Sequence, residues 1–168
     1  MFDTVLVAGL GLMGGSMAKT IKARTLSRVL GWNRTRATAE QALADGSIDA
    51  IATDALFREV DLVIIGLYPQ ATVDWLLENM PKMKKGCVIV DMVGVKQFMV
   101  DHLEQAALDA GVHYVGGHPM AGREFSGLDY ALPTLFDGAS MIFVPTRSSS
   151  ERILSQLEAY FMSLGFGQ

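Results

Sequence analysis

The segment AGLGLMGGS, residues 8–16, limits this chain more than any other stretch. It sets Gly9, Gly11 and Gly14 in G-x-G-x-x-G spacing. Glycines are common, so the spacing alone says little; its surroundings say more. It follows directly on TVLVA (4–8), a β-branched run of strand length. It opens MGGSMAKTIKAR (13–24), a stretch of helical period with Met17 and Ile21 on its inner side. In a strand–turn–helix unit the first glycine permits the tight turn. The second lets the backbone approach a pyrophosphate, and the third lets helix and strand pack closely. The phosphates then rest on the helix N-terminus, whose free N–H groups and dipole favour anions. The expected cofactor contacts here are Gly9, Leu10, Gly11, Leu12, Met13 and Gly14.

The rest of the chain repeats the alternation. Strand-length runs RVLGW (28–32), DLVIIGL (61–67), CVIVDM (87–92), VHYVG (112–116) and ASMIFVP (139–145) are separated by helical stretches. Those are RATAEQALADG (36–46), PQATVDWLLENM (69–80) and KQFMVDHLEQAALDAG (96–111). Near-continuous apolar strands between amphipathic helices mean βαβ units. The expected fold is α/β: a doubly wound, mainly parallel sheet of Rossmann type with helices on both faces. A last helix carries Ile153, Leu154, Leu157, Tyr160, Phe161 and Leu164 on one stripe, and SSSE (148–151) reads as its capping box. Residues 1–168 read as one dinucleotide-binding domain.

Bulk properties exclude several classes. The net charge of −4 is mild and shows no basic cluster, which argues against nucleic acid. No run nears the roughly 20 apolar residues of a membrane span. The one cysteine, Cys87, lies in a buried-strand pattern and cannot form an internal disulfide. That composition predicts a cytoplasmic protein. No metal-ligating cluster is apparent.

About 20 residues past the glycine loop, NAD-preferring sites place an acid at the end of the second strand, where it holds the ribose hydroxyls. GWNRTR has Asn33 there, followed by Arg34, Thr35 and Arg36. Without a carboxylate nothing repels a 2′-phosphate, and a guanidinium can grip it. NADP is therefore expected in preference to NAD, with Asn33, Arg34 and Thr35 in contact. The alternative is that the arginines are a solvated helix start. GLYPQAT (66–72) ends another strand on the same edge, so Leu67, Tyr68 and Pro69 should line the cofactor. Thr72 should cap the helix or reach a phosphate.

Two polar loops leave neighbouring strands on that edge: DMVGVK (91–96) and GGHPMAGREFSG (116–127). A histidine placed where a nicotinamide should lie can act as a general base. His102 and His113 read as surface and structural residues.

Together HPMAGREFSG, DMVGVK and GLGLMGGS resemble the prephenate dehydrogenase family, including its arogenate-using relatives. The histidine loop carries most of that resemblance. It implies oxidative decarboxylation of a small cyclohexadiene acid in tyrosine synthesis, with NADP or otherwise NAD as hydride acceptor. It makes His118 the catalytic group that takes the hydroxyl proton. It also implies that the chain is the family's N-terminal half. The helical C-terminal domain that dimerises and completes the substrate pocket is then absent, so the fragment should turn over little. Loss of that domain should expose apolar surface along the last helix. Many family members carry a serine where this chain has Gly94. Another group or a water must then orient the histidine, and Ser126 is a candidate. Gly94, Arg123, Glu124 and Ser126 are the candidate substrate residues. Glu124 is expected to brace its loop by accepting backbone N–H groups, and Arg123 either meets a substrate carboxylate or is simply exposed. Asp91 and Lys96 are expected to pair and shape their loop. Two other readings compete: a different Rossmann-type NADP-dependent reductase, β-hydroxyacid dehydrogenase-like or an imine reductase, and a nucleotide-binding module without catalysis.

Overall fold

The computed structural model describes residues 2–167. Strands β1 (Thr4–Ala8), β2 (Arg28–Trp32), β3 (Ala50–Ile51), β4 (Leu62–Ile65), β5 (Val88–Asp91), β6 (His113–Pro119) and β7 (Met141–Val144) form one sheet. Their order is β3-β2-β1-β4-β5-β6-β7. All neighbours pair parallel except β6 and β7, which run antiparallel with His118 opposite Ile142. From β1 the chain winds outward to β2 and β3, then returns to β4 and winds the other way. The crevice between the carboxyl ends of β1 and β4 is the topological switch point, where open parallel sheets receive ligands.

Five helices connect the strands: α1 (Leu12–Arg24), α2 (Arg36–Ala44), α3 (Pro69–Asn79), α4 (Lys96–Ala110) and α5 (Glu151–Ser163). Alternation along each strand divides the core in two. Val5, Val7, Leu62, Ile64, Val88 and Val90 face a cluster with α1, α2 and α5. Leu6, Ala8, Val63, Ile65 and Ile89 face a second cluster with α3 and α4. Cys87 is fully buried, and burial pushes its thiol up to about 12.

Three expectations change. The two-residue β3 has no apolar run of its own, because an edge pairing of Leu30 with Ala50 suffices to define it. The cap of α5 is Ser150, whose side chain accepts from the Ile153 N–H; Ser148 instead accepts the Tyr114 N–H in the core. The stripe of α5 is mostly covered by the chain's own core: Ile153, Leu157, Tyr160, Phe161 and Leu164 are buried and Leu154 is half-buried, while Met162 is 54% exposed. Among the described residues no helix is long and apolar enough to cross a membrane.

Candidate active site

The glycine loop is built by close approach. Gly9 has φ +89°, a conformation that suits glycine. An added Cβ at Gly14 would lie 1.7 Å from the Gly9 carbonyl oxygen, so only glycine lets α1 begin this near to β1. Gly11 is different: a Cβ there would meet nothing within 4 Å. It is the N-cap of α1, has no capping side chain, and the first turn holds no acid. The first helical bond runs from the Gly15 N–H to the Gly11 carbonyl at 2.8 Å. The amides of Leu12, Met13 and Gly14 precede it and have no partner within the helix. Open space over uncapped amides suits a pyrophosphate.

Leu10 supports this loop from beneath. Its side chain is fully buried, and its N–H donates to Asn33 Oδ1 at 2.9 Å. Asn33 Nδ2 in turn donates to the Thr35 carbonyl at 3.1 Å. The residue at the usual acid position thus ties the β2–α2 loop to the glycine loop. Arg36 pairs with Glu40 at 2.8 Å. Arg34 is exposed and, among the described residues, has no ion pair or hydrogen bond.

After β4, Leu67 presses on Gly9, its Cδ2 2.8 Å from where a Cβ would stand. Tyr68 is 87% exposed and Pro69 is the first residue of α3. Thr72 does not cap that helix; it is buried, and its hydroxyl donates to the Leu67 carbonyl at 3.2 Å, fixing the turn.

Asp91 ends β5 fully buried. One carboxylate oxygen accepts from the Val93 N–H at 2.8 Å and from the Lys96 ammonium; the other accepts from the Tyr114 hydroxyl at 2.6 Å. The expected Asp91–Lys96 pair is therefore present, with Tyr114 as an unforeseen third member. Burial draws the Lys96 pKa down, opposed by the Asp91 charge and hydrogen bond. Burial, with Asp91 beside it, holds the Tyr114 phenol well above its ordinary range. Nothing in an alternating strand distinguishes a tyrosine with a buried partner from one that only packs, so sequence offered no signal for Tyr114.

This network fixes the loop that carries Gly94 against His118. A Cβ on Gly94 would lie 3.5 Å from His118 Cε1 and 3.8 Å from Nδ1. Gly117 lets the two strands converge, since a Cβ there would lie 2.4 Å from the Asp91 carbonyl oxygen. His118 is half-buried, and its Nδ1 is buried without a hydrogen-bond partner. Ser126 does not orient it: Ser126 is exposed and bonds to no group among the described residues. Glu124 likewise is exposed and accepts no backbone N–H, so it does not brace the loop. Arg123 lies over the Phe125 ring at 5.2 Å. His102 is exposed, and His113 Nδ1 lies 2.5 Å from the Ser148 carbonyl oxygen.

Two apolar hollows of about 430 and 630 Å³ lie against α5, and neither is lined by a glycine-loop residue. No group of three His, Cys, Asp or Glu side chains among the described residues is placed to hold a metal.

Residues 17–166 match the family described as prephenate dehydrogenase, nucleotide-binding domain. A prephenate dehydrogenase of Bacillus subtilis is 35% identical over 162 residues, 94% of this chain and 43% of that protein. The crystal structure of prephenate dehydrogenase from A. aeolicus, in complex with hydroxyphenyl propionate and NAD+, superposes with TM-score 0.88 at 25% identity. It covers 99% of this chain and 58% of that one. Synechocystis arogenate dehydrogenase gives 0.86 at 26% identity, over 97% of this chain and 57% of that one. The chain thus spans about half the length of these relatives. With the family match over residues 17–166 and the Bacillus relative, the chain belongs to the prephenate dehydrogenase nucleotide-binding domain family.

Proposed function

We propose that this chain is the cofactor-binding and proton-accepting half of an NAD(P)-dependent prephenate or arogenate dehydrogenase. The observation that carries the reading is convergence. The glycine loop after β1, the turn after β4, the Asp91 loop after β5 and His118 near the end of β6 all stand at one edge of one sheet.

In this reading the amides of Leu12, Met13 and Gly14 hold the pyrophosphate, Leu67, Tyr68 and Pro69 line the crevice, and Thr72 keeps that turn in shape. A bound nicotinamide supplies the acceptor for a hydride from the ring carbon that bears the hydroxyl. His118 takes the hydroxyl proton at an imidazole nitrogen. The ring carboxylate leaves as carbon dioxide, its bonding pair passes into the ring, and the resulting phenolate oxygen takes a proton back from the His118 imidazolium to become a phenol. Gly94 lets the imidazole approach, and the Asp91–Lys96–Tyr114 network keeps that wall rigid. The remaining half of the protein, which in this reading is helical and dimerises, completes the substrate pocket. A cytoplasmic setting fits the single buried thiol.

NADP is the favoured cofactor. Asn33 is neutral and already engaged, and Arg34 next to it is exposed and has no ion pair among the described residues, which leaves a cation for a 2′-phosphate. The NAD+ bound by the Aquifex relative supports dinucleotide use in general.

The test is steady-state turnover of the complete protein with His118→Asn. A fall in kcat of about 10²–10⁴-fold with folding intact is expected. Unchanged turnover rejects the role of His118.

A further inference from the structure

The loop after His118 has an architecture that the proton-transfer role does not use. At one end the Met120 N–H donates to the Ser140 carbonyl at 2.8 Å, which holds it to β7. At the other it is fastened along α1. Leu128 lies against Gly15, where an added Cβ would be 2.7 Å from its Cδ1. The Leu132 N–H donates to Ser16 Oγ at 3.0 Å, Lys19 to the Ala131 carbonyl at 3.3 Å and Thr20 to the Pro133 carbonyl at 3.0 Å. Gln41 of α2 donates to Asp129 at 2.6 Å.

Between these anchors Ala121–Gly127 leads from the carboxyl end of β6 to α1. In the strand order β6 lies three places from β1, over which α1 starts, a distance of about 14 Å at the usual strand spacing. Seven residues can extend to ~23 Å. The segment is therefore long enough to reach across the switch-point crevice. Gly122 and Gly127 flank its centre, and a Cβ on either would meet nothing within 4 Å. Ala121 packs on the core; beyond it Arg123 lies over Phe125 at 5.2 Å, and Phe125 stacks on Tyr130 at 4.7 Å with rings 11° apart. Arg123 has no ion pair among the described residues.

Charge balance gives this arginine a partner. A pyrophosphate brings two negative charges, and a helix N-terminus offers about half a positive one. The cations of α1 are already committed: Lys19 lies 3.8 Å from Asp45, Lys22 2.6 Å from Asp49 and Arg24 2.5 Å from Asp137. In the cofactor reading Arg34 serves the far end of the nucleotide. We propose that Ala121–Gly127 is a strap over the crevice, and that Arg123 leaves Phe125 to clamp the pyrophosphate of the bound dinucleotide. The inference rests on the cofactor reading given above.

Calorimetric titration of the parent chain, Arg123→Ala and Arg123→Lys with NADP+, NAD+ and adenosine 2′-phosphate tests it. Arg123→Ala weakens both dinucleotides equally, by about tenfold. Lysine retains part of the affinity, and adenosine 2′-phosphate, which lacks a pyrophosphate, binds parent and variant alike. Saturating dinucleotide also slows tryptic cleavage after Arg123 in the parent. Equal dinucleotide affinities in parent and Arg123→Ala overturn the clamp and leave the cofactor reading standing. So does a loss seen only when hydroxyphenyl propionate is added with the nucleotide, which assigns Arg123 to substrate. A parent chain that binds neither dinucleotide overturns the cofactor reading and the clamp with it. An unchanged melting temperature in the variants ties any loss to the site, since Arg123 is exposed.

Discussion

Alanine at Gly14 and alanine at Gly11 should do opposite things. At position 14 the new Cβ would stand 1.7 Å from the Gly9 carbonyl oxygen and 2.9 Å from its carbon. Both are backbone atoms, so no side chain can rotate away. Relief requires α1 to move from β1 by ~1 Å or more in a close-packed interior. Overpacking of this kind costs about 3 kcal/mol, the upper end of the usual range. For a domain this size that is a fall in melting temperature of roughly 6–12 °C. At position 11 the backbone has φ −77° and the space is open. Alanine there loses at most about 1 kcal/mol as an N-cap. Its methyl, however, occupies the surface where a pyrophosphate would approach the backbone. Dinucleotide affinity should fall at least about tenfold. Thermal melts followed by differential scanning calorimetry, with nucleotide titration of each variant, separate the two effects. Gly14→Ala melting with the parent refutes the packing argument. Gly11→Ala binding nucleotide like the parent refutes the cradle.

Gly94→Ser places a Cβ at ordinary contact distance from the His118 ring and gives its unpartnered Nδ1 a hydroxyl; turnover of the complete protein should rise with melting unchanged, and a fall in turnover contradicts the geometry. Burial opposes ionisation of Asp61, yet the hydrogen bond from Lys84 and the N–H groups of Thr4 and Asp3 outweigh it and hold its pKa below the ordinary 3.8. A depressed carboxylate pKa stabilises the fold above about pH 4 and loses that contribution as pH falls through the folded-state value. Asp61→Asn should therefore melt lower at neutral pH and show a flatter acid limb, and an acid limb parallel to the parent's rules this out.

Much of the fold was legible because its signals are local. β1, β4 and β5 read as apolar runs since both faces are covered, and α1 was announced by the glycines ahead of it. Proximity in sequence also exposed the Asp91–Lys96 pair. What stayed hidden depends on distance along the chain. Leu128 meeting Gly15, Tyr114 meeting Asp91 and Asn33 meeting Leu10 are contacts between residues whose own neighbourhoods look ordinary. The α5 cap was misplaced for a related reason: three consecutive serines offer equal caps, and the core claims Ser148. The stripe of α5 could not be assigned a partner from periodicity, which shows an apolar face but not what covers it.

The most direct measurement is calorimetric titration of this chain with NADP+ and, separately, NAD+, using His118→Asn and Arg34→Ala beside the parent. The account predicts micromolar binding, tighter for NADP+, little changed by His118→Asn, with the NADP+ advantage lost in Arg34→Ala. NAD+ bound tenfold or more tightly than NADP+ contradicts the reading of Asn33 and Arg34. Binding of neither nucleotide contradicts the central claim that the glycine loop and α1 form a working cofactor site.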